Sequence, residues 1–150
     1  MGINSIAVDF DGTLCSAAYP GIGKRYWVHR LVARYVRWMH KRGCIIIINT
    51  LRDVENDLIG KKPYLDCIIS LHRWGIPYHY INTNIPTATA KYGYARKINA
   101  DRYIDDRNIG LIGWLLRLYN KERKQYVGKN AVETVLSVFG KKPVLPETQR

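Results

Sequence analysis

Ser5-Ile6-Ala7-Val8-Asp9-Phe10-Asp11-Gly12-Thr13 reads as an apolar strand that ends in two acids and a glycine. Two like charges at the end of a buried strand cost free energy unless a cation or a reaction requires them there. Side chains alternate in extended backbone, so Asp9 and Asp11 share one side and Phe10 takes the other. Gly12 permits a sharp turn and a close approach of the backbone to a ligand. A second acidic pair, Asp105-Asp106, follows another apolar stretch, Arg102-Tyr103-Ile104. Two acidic clusters at two strand ends predict a divalent-cation site, and an enzyme.

Outward from the first pair, Leu14 to Tyr26 contains Pro20, Gly21 and Gly23 and reads as a loop or flap. Val28, Leu31, Val32, Tyr35, Val36 and Met39 then recur at helical spacing among basic residues, and Gly43 closes that helix. Cys44 to Asn49 is a continuous apolar run of the kind buried on both faces. A second helical stretch between Asp53 and Trp74 is broken near Gly60 and Pro63. Tyr78 to Ile81 reads as a third strand, Asn82 to Tyr94 as a loop, and Tyr103 to Ile104 as a fourth strand. Leu111 to Tyr119 fits helix or strand. Asn130 is an N-cap for a helix through Phe139. Lys141 to Arg150, with two prolines, reads as a flexible basic tail, which leaves a single domain over residues 1–140. Strands alternating with helices predict an α/β fold, a Rossmann-like three-layer sandwich around a mainly parallel sheet. Ligands bind beyond the carboxyl ends of such strands, where Asp9, Thr50 and Asp105 would meet.

The chain has 150 residues, with 24 Lys and Arg against 12 Asp and Glu, a net charge of +12. That field favours anionic substrates and also nucleic acid. The densest basic stretches, Arg30 to Arg42 and Lys121 to Lys129, carry no nucleic-acid motif and fit solvated helix faces equally well. Cys15, Cys44 and Cys67 lack metal-type spacing and predict reduced, packed thiols in a cytoplasmic protein. No signal peptide is evident, and Ile45 to Ile48 is too short to cross a bilayer, so no membrane association is expected. His29, His40, His72 and His79 show no ligand spacing and read as surface or packing residues.

Taken in order, the motifs resemble those of the haloacid dehalogenase superfamily of phosphatases. The first motif of that family is matched by Asp9-Phe10-Asp11-Gly12-Thr13. The second, an apolar strand ending in Thr or Ser, is matched by Ile45 to Thr50. The fourth, a strand ending in an acidic pair, is matched by Tyr103 to Asp106. The third is a single Lys between those two; Lys97 matches best, with Lys91 and Arg96 nearby. The resemblance covers residues 5–110 and implies a set of roles. Asp9 would be the nucleophile that forms an aspartyl-phosphate. Asp11 would protonate the leaving group and later activate water. Mg²⁺ would be held by Asp9, the Asp11 carbonyl, Asp105 and Asp106. Thr50 and Lys97 would hold the phosphoryl oxygens.

Two arginines flank these motifs. Arg107 is expected to brace the acidic pair by a salt bridge, while Arg52 fits a structural or a substrate role. The tract Ala100 to Arg107 is similar to that of deoxyribonucleotidases and small bacterial relatives. The gaps between motifs hold too little chain for a separate cap domain, which predicts a capless or nearly capless, open site. The expected activity is Mg²⁺-dependent phosphomonoester hydrolysis, on nucleotides or nucleic-acid phosphate ends. The alternatives are a metal-dependent nuclease using the same carboxylates and a non-catalytic domain that binds phosphate or nucleic acid. The sequence leaves the oligomeric state open.

Overall fold

β1 (Ser5–Val8) and β2 (Ile45–Ile48) run parallel at the centre of the sheet, with Ser5 opposite Ile45 and Val8 opposite Ile48. The computed structural model describes residues 4–57 and 60–119. β3 (Tyr80–Ile81) adds to β2 and β4 (Arg102–Ile104) adds to β1, giving the order β3-β2-β1-β4 with every pair parallel. Helices α1 (Trp27–Lys41), α2 (Pro63–Arg73), α3 (Pro86–Tyr92) and α4 (Leu111–Leu118) connect or follow the strands. The architecture is the expected α/β one, a Rossmann-like sheet flanked by helices. Its sheet is wholly parallel among the described residues.

The two central strands are buried on both faces, as their unbroken apolar runs require. On one face Ile6, Val8, Ile46 and Ile48 pack with Val28, Val32 and Val36 of α1, Cys67 and Leu71 of α2, and Leu116 of α4. On the other, Ala7 and Ile47 meet Ile98, with Ile85 and Ala100 beside them. Each fully buried aliphatic side chain contributes roughly 1.5–3 kcal/mol relative to exposure, so β1 and β2 anchor the site-bearing end of the sheet. Phe10 lies on the side opposite the acids, fully buried and stacked on Trp74 with ring centres 5.7 Å apart.

Two features differ from expectation, and one that the sequence left open is decided. The stretch Asn82 to Tyr94, expected as loop, contains α3; Pro86 at its start presets the first turn, and Gly93, at φ 71°, ends it after seven residues. So short a helix leaves little periodicity to read. Leu111 to Tyr119 resolves as helix, with Leu116 buried against the α1 side of the sheet. Leu31 and Tyr35, expected on the buried face of α1, are instead exposed and line a surface groove with Tyr103, Ile109 and Leu111.

Several smaller features follow expectation. Gly43, at φ 83°, follows α1 as predicted. All three cysteines are buried and free. Between β1 and β2 there is only the flap and α1, so among the described residues no cap domain is inserted there. No helix of the described residues is long and apolar enough to cross a membrane. The helix expected over Asn130 to Phe139 and the tail from Lys141 lie outside the described residues.

Candidate active site

Past their last residues, β1, β2 and β4 stay tied to one another. The Asp9 N–H donates to the Ile104 carbonyl and the Asn49 N–H to the Val8 carbonyl, each at 2.9 Å. These bonds carry the parallel ladder beyond the strands and fix where the following side chains emerge. A cleft of about 660 Å³ opens there, lined by Asp9, Asp11, Thr50, Asp105 and Asp106 among others.

Asp9, Asp105 and Asp106 each bring one carboxylate oxygen within 4.8 Å of the other two. Burial, and then the Asp105 charge, push Asp9 from the ordinary 3.8 up to about 8. Thr13 works against that shift by bonding the carboxylate. Its buried hydroxyl donates to Asp9 Oδ2 at 3.1 Å and accepts from the Asp106 N–H at 3.0 Å. One hydroxyl therefore latches the turn after β1 to the turn after β4. Asp105 Oδ1 accepts from the Arg107 N–H at 2.7 Å, and Arg117 donates to the Asp106 carbonyl.

Asp11 lines the same cleft but is engaged differently. Both of its oxygens accept from Arg52, Nε to Oδ2 at 2.6 Å and Nη2 to Oδ1 at 2.7 Å. Arg52 is fully buried, and its other N–H groups donate to the carbonyls of Pro20, Gly21 and Pro63. All five guanidinium donors are thus used, in a fork that a lysine could not reproduce. Burial pulls against the guanidinium charge, but the Asp11 bond and charge outweigh it and raise Arg52 further. One side chain joins Asp11, the flap and the start of α2. The sequence left the role of Arg52 open, and its position two residues after Thr50 was the available signal.

Thr50 lines the cleft, as the sequence predicted, and is steadied by Asn82, which accepts the Thr50 N–H at 2.8 Å and donates to the Arg52 carbonyl at 2.9 Å. Lys97 does not line it. Lys97 is exposed along a second cleft with Asn84, Tyr92 and Tyr103. The cause is local: Asn84 donates to the carbonyls of Ala95 and Lys97, and the adjacent Ile98 is buried in the core beyond Ala7 and Ile47. Lys91 is exposed on α3, over the ring of Tyr92. Arg107 does line the acidic cleft, but its backbone N–H, not its guanidinium, bonds Asp105. Among the described residues the ion pair is Arg52 with Asp11, in place of the expected Arg107 bridge.

The donor set fits a hard divalent cation. Oxygen-only ligands crowded at this distance repel one another, and the repulsion from Asp105 and Asp106 adds to burial, the larger cause, in pushing Asp9 upward. Of the residues expected to hold the ion, Asp9, Asp105 and Asp106 converge. The Asp11 carboxylate stands apart with Arg52; the expected contribution from Asp11 was its main-chain carbonyl.

No protein-family model matches the sequence, and no curated protein matches it. A solved structure of a conserved protein from Bacteroides thetaiotaomicron is similar in fold, with a TM-score of 0.58 and 25% sequence identity. The match covers 84% of this chain and 96% of that one.

Proposed function

We propose that the protein is a divalent-cation-dependent phosphomonoesterase that works through an aspartyl-phosphate on Asp9. The observation that carries this reading is the convergence of Asp9, Asp105 and Asp106, with Asp11 beside them but held outside the cluster by Arg52. The motif order that resembles the haloacid dehalogenase phosphatases supports the same assignment. Asp9, Asp105 and Asp106 would hold the cation, Mg²⁺ by the resemblance, which supplies charge neutralisation for phosphoryl oxygens.

In the first half-reaction an Asp9 oxygen bonds to phosphorus as the bond from phosphorus to the leaving alcohol breaks. Asp11 supplies the proton that the leaving oxygen takes up. Water then attacks phosphorus, the Asp9–phosphorus bond breaks, and Asp11 takes the water proton as inorganic phosphate leaves. With both oxygens accepting from Arg52, Asp11 is oriented for the second, proton-accepting step; giving up a proton in the first requires that pairing to loosen. Thr50 and Arg107, which both line the cleft, would contact phosphoryl oxygens, the work first expected of Thr50 and Lys97.

The nuclease alternative asks the four carboxylates to share two metals, and the Arg52 pairing of Asp11 argues against it. The +12 charge supports an anionic substrate, a nucleotide or nucleic-acid phosphate end among them. The test is steady-state hydrolysis of an aryl phosphate with Mg²⁺ and with chelator, in wild type and Asp9→Asn. Mg²⁺-dependent turnover lost in Asp9→Asn is expected; hydrolysis of no phosphomonoester would sink the reading in favour of a binding domain.

A further inference from the structure

The rim of the acidic cleft is chemically two-sided. The strand order places the loop after β2 on one side of Asp9 and the loop after β4, with Arg107, on the other, and the Arg52 bonds to Pro20 and Gly21 tie the flap to the β2 side. On the first side the lining comes from Ala17 and Tyr19 of the flap and from Leu51 after β2. Tyr19 is 54% exposed and Leu51 is 88% exposed. A single exposed Leu or Tyr needs no explanation. Here both line one cleft, and the Tyr19 segment is held in place. The Arg52 guanidinium lies 5.4 Å from the Tyr19 ring centre and bonds the carbonyls of the next two residues, Pro20 and Gly21. A ring fixed in advance loses little freedom when it binds.

We infer that Tyr19 and Leu51 form an apolar leaving-group subsite, so that the protein prefers phosphomonoesters whose alcohol carries a planar aromatic ring. The inference rests on the phosphomonoesterase reading. With the phosphoryl group at Asp9, the alcohol faces the flap, where a ring stacks on Tyr19 and covers Leu51. Among the described residues lining the cleft the cation is Arg107, across from the flap, and Arg52 is committed to Asp11. Among the described residues lining the cleft, a polyanionic alcohol therefore finds no free counter-charge on the flap side.

The test compares benzyl phosphate with ethyl phosphate in the presence of Mg²⁺. Both release a primary alkoxide, so the ring is the main difference between them. Wild type should favour the benzyl ester in kcat/KM by about tenfold, mainly through KM. Tyr19→Ser and Leu51→Ser should each shrink that ratio, and Tyr19→Phe should preserve it. Equal kcat/KM for the two esters would overturn the subsite while leaving the phosphomonoesterase reading in place. So would a full preference in the Tyr19→Ser, Leu51→Ser double variant with an unchanged melting temperature. Hydrolysis of neither ester would overturn both.

Discussion

Arg52 is the residue on which the site turns, because it is fully buried and makes five hydrogen bonds. Replacing it by Ala leaves Asp11 without its ion-pair partner and removes the Arg52 donors to the Pro20, Gly21 and Pro63 carbonyls. The expected loss is about 3 kcal/mol or more in denaturant unfolding, and Arg52→Lys should recover only part of it. Thr13 is the second such residue. Thr13→Val keeps the shape but removes the donor to Asp9 and the acceptor for the Asp106 N–H; the expected cost is about 1–3 kcal/mol in the same assay. The acids were legible because charge at the end of an apolar strand conflicts with burial. Arg52 was not, since arginine is ordinarily a surface residue and nothing in a linear sequence marks one as enclosed. Lys97 was misplaced for a related reason: its position depends on Asn84, thirteen residues earlier.

At the scale of elements, β1, β2 and α1 were legible because long apolar runs and helical spacing each force one solution. α3 and the choice of helix for α4 were not, since seven or eight residues carry too little pattern and packing decides. The exposure of Leu31 and Tyr35, which share a groove with Leu111 and Ile112 of α4, is likewise not set by the spacing within α1. Cysteine chemistry checks the packing of these elements directly. Burial pushes the Cys15 and Cys67 thiols up to about 12, and Cys44 is also raised. All three should resist a thiol reagent in the folded protein and react together on unfolding; fast labelling of any one under native conditions would contradict its placement.

For the whole molecule, the acidic cluster makes stability depend on pH and on cation. In the cation-free protein Asp9 titrates at about 8 instead of 3.8. Between those values the folded state keeps a proton that the unfolded chain has released, so stability falls as pH rises through the window. His29, held down to about 4 by burial and by Arg25, gives the opposite slope, confined to pH below the ordinary 6.5. Chelator-treated protein should therefore melt lower at about pH 8.5 than at about pH 6.5, and Mg²⁺ should raise the melting temperature more at the higher pH. No difference between the two pH values, with or without Mg²⁺, would argue against the cluster as a cation site.

The central claim is that Asp9 forms a covalent bond to phosphorus. Acid quenching during turnover of an aryl phosphate, followed by peptide mass spectrometry, measures it. The predicted result is a hydroxylamine-sensitive phosphoryl increment on the peptide containing Asp9, absent from Asp9→Asn. Turnover with no adduct on that peptide, or an Asp9→Asn variant that hydrolyses the ester at the wild-type rate, would contradict it.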